Sequence, residues 1–108
     1  MKLNLRVENY SDKKERMIVE KTINWSIERL NLSRFHNLKL TVKLGHMPEC
    51  YGYCQQMKDR EYIIGVDSKQ SLRNFVMTLI HEMIHVKQYL NNPKHYEMKA
   101  NHLHLKLC

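Results

Sequence analysis

The sequence is poor in the residues that build linkers and repeats. It has three glycines and two prolines among 108 residues, and no stretch is repetitive or rich in Pro, Gly and Ser. No apolar run approaches the roughly 20 residues that a transmembrane helix requires. A chain of this length is the size of one ordinary domain. We therefore expect residues 1–108 to form a single folded domain that does not enter a membrane.

Cysteine is also scarce, and its number is odd. There are three cysteines, and the N-terminal stretch MKLNLRVENY has no apolar core of the kind that signal peptides carry. We expect no disulfides and a reducing, cytoplasmic location, which for a viral protein is the host cytoplasm. Cys50 and Cys54 could form a metal site with His46. The four-residue spacing on a strand separates the two thiols too far for easy chelation, so we interpret both as core residues.

Acidic residues are outnumbered by basic ones. The chain has 18 Lys and Arg against 11 Asp and Glu, which gives a formal net charge of +7. Such a charge attracts nucleic acid, an anionic surface or an acidic protein without selecting among them. The basic residues are spread along the chain, and no recognised DNA-binding motif is present. We expect at most a weak association with nucleic acid, and the sequence indicates no oligomeric state.

Local patterns predict a helix followed by a small sheet. Asp12 is the expected N-cap of the helix, with Glu15 three residues later as in a capping box, and the helix should end near Asn31. Its apolar face consists of Val19, Ile23, Ile27 and Leu30. The strict alternation in residues 37–45 predicts a strand with one solvent-exposed side. Residues 50–56 and 61–67 predict a hairpin, which brings the sheet to about three strands.

A second helix is predicted from Ser68 or Ser71 to about Asn92. Its apolar stripe has a 3.6-residue period and comprises Leu72, Phe75, Val76, Leu79, Met83, Val86 and Leu90. Pro93 ends this helix and is favoured in the first turn of another, so we expect a third helix from Pro93 to Leu107. The expected fold is α+β, with an N-terminal helix, a small sheet, a central helix and a C-terminal helix.

The central helix carries the motif HEMIH. His81 and His85 differ by about 40° around the helix axis, so both can reach one Zn²⁺ at about 2.0–2.1 Å. Glu82, about 100° from His81, lies beside the metal, where it can act as general base on a zinc-activated water without being a ligand. A coincidental histidine pair and a structural zinc site are the alternatives. Structural sites are usually rich in Cys, and a buried histidine pair without a metal is costly.

The stretch TLIHEMIHVKQYL resembles the active-site helix of compact zincin peptidases. These are the gluzincin group, which includes the SprT-like and ImmA-like minimal proteases of phages and bacteria. The resemblance covers roughly residues 50 to 105 and is most specific at residues 78–89. It implies a minimal zincin-like fold and a zinc-dependent metallopeptidase that hydrolyses peptide bonds in a protein or peptide substrate.

A zinc site of this kind needs a third protein ligand, and the tail offers His95, Glu97, His102 and His104. The gluzincin resemblance implies Glu97, because in that group a downstream helix supplies a Glu followed three residues later by Ala, as in YEMKAN here. Lys99 stands where a second acidic residue is usual in the group. In SprT-like proteases the ligand is a histidine just ahead of the last helix, and His95 is its counterpart. We expect His81, His85 and Glu97 to hold the zinc.

The resemblance also implies an edge strand that binds extended substrate above the active-site helix, and Gly52 would permit that close approach. Tyr51, Tyr53 and a tail histidine are candidates for stabilising the oxyanion. Gln88, one turn beyond His85, is a candidate for bracing that ligand.

A second class of function is a basic, DNA-associated module with a structural zinc site. SprT-like proteases act on protein bound to DNA, and the charge of +7 suits such a setting. The intact Glu82 favours catalysis, because a structural site does not need it.

Overall fold

A computed structural model of the protein describes residues 3–91 and has an α+β architecture, as expected. The elements in chain order are β1 (Leu3–Glu8), α1 (Lys13–Arg29), β2 (Leu38–Gly45), β3 (Gly52–Lys58), β4 (Glu61–Asp67) and α2 (Leu72–Asn91). Neither helix of this span is long and apolar enough to cross a membrane. The helix expected from Pro93 to Leu107 lies outside the described residues.

The sheet has four strands in the order β1-β2-β4-β3. β1, β2 and β4 run parallel, and β3 is antiparallel to β4, so the predicted hairpin is confirmed. The expectation of about three strands was too low because β1 was missed. β1 is only six residues long, and its apolar side chains Leu3, Leu5 and Val7 are half-buried. Its partner β2 lies beyond a whole helix, so the pairing that makes it a strand is not local.

α1 begins after Asp12, whose side chain accepts a hydrogen bond from the Glu15 backbone N–H at 2.8 Å. The Glu15 carboxylate in turn accepts from the Ser11 backbone N–H at 2.8 Å, so the reciprocal pair forms with the residue before the cap. The helix ends at Arg29, and Asn31 follows with a left-handed φ of 58°, a conformation that asparagine tolerates after a helix.

Both helices cover the same face of the sheet. The inward side chains of β2 are buried, whereas Lys39 and Lys43 between them are exposed, so the other face of the sheet meets solvent. The core lies between the sheet and the helices and includes three side chains of α1, namely Val19, Ile23 and Ile27. Within this layer α2 lies over β3 and β4.

The two cysteines of the described span differ. Cys54 is a free thiol in the core, as expected. Cys50 is disulfide-bonded, so the expectation of no disulfides is wrong at this residue. The number and spacing of cysteines do not report which thiols meet in space, and a disulfide depends on that proximity.

α2 starts at Leu72, and the Ser71 hydroxyl accepts from the Asn74 backbone N–H at 3.2 Å, which selects Ser71 over Ser68 as the capping residue. Most of the predicted stripe is buried, but Leu72 in the first turn is 62% exposed. Two residues outside the predicted stripe, Glu82 and Tyr89, are buried as well. Tyr89 stacks on Tyr62 of β4 with ring centroids 5.9 Å apart, which fixes the end of α2 to the sheet.

Candidate metal centre

The HEMIH motif lies in the middle of α2, and its three polar residues face different environments. Glu82 belongs to the face that packs on the sheet, with only 2% of its surface exposed. His85 lies about 60° from Glu82 around the helix axis and His81 about 100° on the same side. His81 is exposed and His85 is half-buried. The histidines therefore form one flank of the helix, next to its buried face.

The two imidazoles point at the same place. His81 Nε2 and His85 Nε2 are 3.2 Å apart, and the rings meet at an interplanar angle of 89°. Two nitrogens bound to one tetrahedral Zn²⁺ at about 2.0–2.1 Å lie about 3.3–3.4 Å from each other. The pair therefore has close to the separation that a shared zinc ion requires, and the donor set fits this metal.

The Glu82 carboxyl group lies between α2 and the edge strand β3. Within residues 3–91 its Oε1 is buried without a hydrogen-bond partner. Burial in these surroundings raises the pKa of Glu82 from 4.5 to about 8. The neighbouring Cys54 thiol on β3 has a pKa raised first by its own burial and then by the charge of Glu82. A buried carboxyl group without a partner destabilises the fold, so its presence needs a reason.

Gly52 is the residue of β3 that lets α2 come so near. A Cβ atom at this position would lie 2.5 Å from Thr78 Cγ2, 2.9 Å from the Gly65 carbonyl oxygen and 3.2 Å from Glu82 Oε2. The close neighbour of Gly52 in the structure is α2, and the expected approach of an extended substrate at this residue stays a prediction. β3 is an edge strand of the sheet.

Tyr53 does not reach the histidine pair. Because successive side chains of a strand point to opposite faces, Tyr53 lies on the face of the sheet away from Gly52 and α2. Its ring packs over Gly65 there, in the space where a Cβ of that glycine would be. Tyr53 as a stabiliser of the oxyanion is therefore wrong. Tyr51 is 62% exposed, and its backbone carbonyl oxygen accepts hydrogen bonds from Asp67 N–H at 2.8 Å and from Gln70 Nε2–H at 3.4 Å. Its role as a stabiliser of the oxyanion stays a prediction.

His46, which was considered as a partner of Cys50 and Cys54 in a metal site, lies beside a carboxylate instead. Its Nδ1 lies 3.6 Å from Asp67 Oδ1. Hydrogen bonds lower the pKa of Asp67, first from the Lys69 backbone and then from Met47 and His46, against the opposing effect of burial. His46 thus pairs with a carboxylate at the end of β4.

The third ligand is not found in the described part of the chain. Between residues 3 and 91 no group of three or more His, Cys, Asp and Glu side chains is close enough to hold a metal ion. Glu97, His95, His102 and His104 all lie outside the described residues. The histidine pair is therefore placed, and Glu97 as third ligand stays a prediction.

Thr78 is a neighbour of the site that the sequence interpretation overlooked. It precedes Glu82 by one helical turn and packs against the position of Gly52. Its hydroxyl donates to Gln70 Oε1 at 3.3 Å. The four-residue spacing from Thr78 to Glu82 was a visible signal, but only the fold shows that both residues face β3.

Comparison of the chain with family models, with curated proteins and with solved structures gives no match. The resemblance to gluzincin and SprT-like peptidases therefore rests on the HEMIH helix and its neighbours. The function has to be argued from the geometry of α2 and of the strand beneath it.

Proposed function

We propose that this protein is a zinc-dependent metallopeptidase that hydrolyses peptide bonds in a protein or peptide substrate. The observation that carries the proposal is the 3.2 Å approach of His81 Nε2 and His85 Nε2, beside a buried Glu82 whose Oε1 has no partner in residues 3–91. His81 and His85 would hold the zinc, with Glu97 as the expected third ligand. A zinc ion bound there would supply a Lewis acid and a water that is deprotonated near neutral pH.

Glu82 is the residue to which we assign proton transfer. Its Oε1 has a lone pair that no other group in residues 3–91 engages, so it can accept a proton and later return it to the leaving amine. Burial keeps the position of this carboxyl group defined between α2 and β3. Its place on the buried face of α2, next to the flank that carries the histidine pair, favours a base over a ligand.

The alternatives explain less of this arrangement. A histidine pair without a metal would account for the Nε2 contact by a single hydrogen bond, but it gives no reason for the neighbouring Glu82 Oε1, which is buried without a partner in residues 3–91. A structural zinc site in a basic, DNA-associated module has the same weakness, since such a site needs only its ligands. The catalytic interpretation uses all three residues of the motif.

The test is hydrolysis of an unfolded, general protein substrate by the zinc-loaded protein. We expect cleavage that a chelator abolishes and that added zinc restores. Glu28→Gln, a matched substitution at an exposed position of α1, should cleave like the wild type. Zinc retention without cleavage of any peptide substrate would favour the structural zinc module and contradict the proposal.

A further inference from the structure

Gln88 makes a contact with the candidate metal centre that the proposed function does not use. It lies three residues after His85 on α2, so the two side chains are neighbours on the helix surface. The distance between His85 Nδ1 and Gln88 Oε1 is 3.0 Å. This is the length of an ordinary hydrogen bond between a ring N–H and an amide oxygen.

The chemistry of this contact decides where the His85 proton is. An amide oxygen only accepts, so His85 must donate through Nδ1–H, and Nε2 is then left with its lone pair. That lone pair is on the nitrogen that lies 3.2 Å from His81 Nε2. The opposite arrangement, with the Gln88 amide N–H donating to Nδ1, would put the proton on Nε2, where it would have to leave before a metal could bind.

We propose that Gln88 is a positioning residue of this centre, which holds His85 in the Nδ1–H tautomer and aims its Nε2 lone pair at the point shared with His81. The part of this inference that concerns zinc rests on the proposed function. The part that concerns the tautomer does not, because the hydrogen bond is made by the protein alone. Partners of this kind orient metal-binding histidines and raise their basicity.

The experiment compares Gln88→Leu, which removes the acceptor, with Gln88→Glu, which keeps an acceptor oxygen at a similar reach. Gln55→Leu is the matched control, because Gln55 is exposed on the face of the sheet away from α2. The tautomer of His85 is read from imidazole nitrogen shifts in the metal-free protein at about pH 8.5, where imidazole is neutral. Zinc affinity is read by competition with a chromogenic chelator, and circular dichroism checks that α2 is intact.

We expect His85 to be in the Nδ1–H tautomer in the wild type, in Gln55→Leu and in Gln88→Glu, and to become a mixture in Gln88→Leu. Zinc binding should weaken by roughly 10- to 100-fold in Gln88→Leu alone. An Nε2–H tautomer in the wild type, or an unchanged tautomer in Gln88→Leu, would overturn the inference. Unchanged zinc affinity in Gln88→Leu would overturn its zinc part. A wild type that holds the Nδ1–H tautomer but binds no zinc would refute the proposed function and leave Gln88 as the tautomer-setting partner.

Discussion

The two helices pack on the same face of the same sheet, yet they differ in whether their buried polar groups are hydrogen-bonded. α1 buries Thr22 and Ser26, and the Ser26 hydroxyl donates to the Thr22 carbonyl oxygen at 2.8 Å. α2 buries Glu82, whose Oε1 finds no partner in residues 3–91. The buried Ser26 hydroxyl of α1 is thus hydrogen-bonded within its own helix, whereas α2 carries a carboxyl group whose Oε1 has no partner in residues 3–91.

We expect such a difference between a helix that only covers a sheet and a helix that carries the candidate metal centre. A helix that serves only to cover a sheet gains stability when each buried polar group is hydrogen-bonded. A buried polar group without a hydrogen bond destabilises the fold. Such groups are expected at functional sites, where reactivity and not stability determines which residue is present. Substitutions in α2, in β3 beneath it and in α1 test this comparison, from the largest expected effect to the smallest.

The largest effect is expected from Glu82→Gln on hydrolysis. The substitution keeps the shape of the side chain but removes the oxygen that can take a proton, so the rate should fall by roughly 10²- to 10⁴-fold. Zinc content should stay the same, because Glu82 is not assigned as a ligand. Rates of peptide cleavage and zinc per chain are measured together. A variant that loses its zinc would show that Glu82 is a ligand.

The same variant should change how the stability of the metal-free protein depends on pH. The pKa of Glu82 is about 8 in the folded protein and 4.5 ordinarily. The unfolded chain therefore releases this proton first, and the free energy of unfolding should fall as pH rises from 4.5 to about 8, by up to about 1.4 kcal/mol per pH unit. Glu82→Gln lacks this group, so its free energy of unfolding should increase relative to that of the wild type as the pH rises through that window.

Urea unfolding of the chelated proteins at a series of pH values measures this effect. Glu28→Gln is the control, and its stability should follow that of the wild type at each pH. Parallel curves for Glu82→Gln and the wild type would show that the Glu82 carboxyl group is not destabilised by its burial.

A smaller effect is expected from adding one methyl group beneath α2. In Gly52→Ala the new atom meets Thr78 and the Gly65 carbonyl oxygen, which is backbone and cannot rotate away. We expect a loss of about 1–3 kcal/mol in the free energy of unfolding. Gly45→Ala is the matched control, because a Cβ there has nothing within 4 Å, and it should change stability by less than about 1 kcal/mol. Equal effects of the two substitutions would mean that α2 and β3 are not in close contact at Gly52.

The smallest effect is expected on α1. Ser26→Ala removes a hydroxyl whose hydrogen bond in the described part of the chain is to its own helix, at the Thr22 carbonyl oxygen. Alanine is also the better helix former, so stability should change by no more than about 0.5 kcal/mol. Thermal unfolding measures it, and a loss well above 1 kcal/mol would show that α1 also depends on a buried polar contact.

Features that depend on nearby residues could be predicted from the sequence. The alternation of residues 38–44, the two strands on either side of a polar turn and the cap at Asp12 all act over a few residues, and each is present in the structure. The sequence left Ser68 and Ser71 open as the start of the second helix, and the structure has the cap at Ser71. The parallel pairing of β1 with β2 depends on contacts across a whole helix, and it was missed.

The candidate site divides in the same way. The shared direction of His81 and His85 follows from helix geometry alone, and their nitrogens do meet. The burial of Glu82 and the close approach at Gly52 depend on where α2 crosses the sheet, which no local pattern encodes. For the same reason the sequence could not show that Tyr53 faces away from α2.

The central claim is that His81 and His85 bind zinc, and elemental analysis of the protein after zinc loading and exhaustive dialysis tests it most directly. The wild type should retain one zinc per chain, and His81→Ala and His85→Ala should each retain far less, while His46→Ala, which alters an exposed histidine beside Asp67, should retain as much as the wild type. A wild type that retains well under one equivalent, or histidine variants that retain as much as the wild type, would contradict the account.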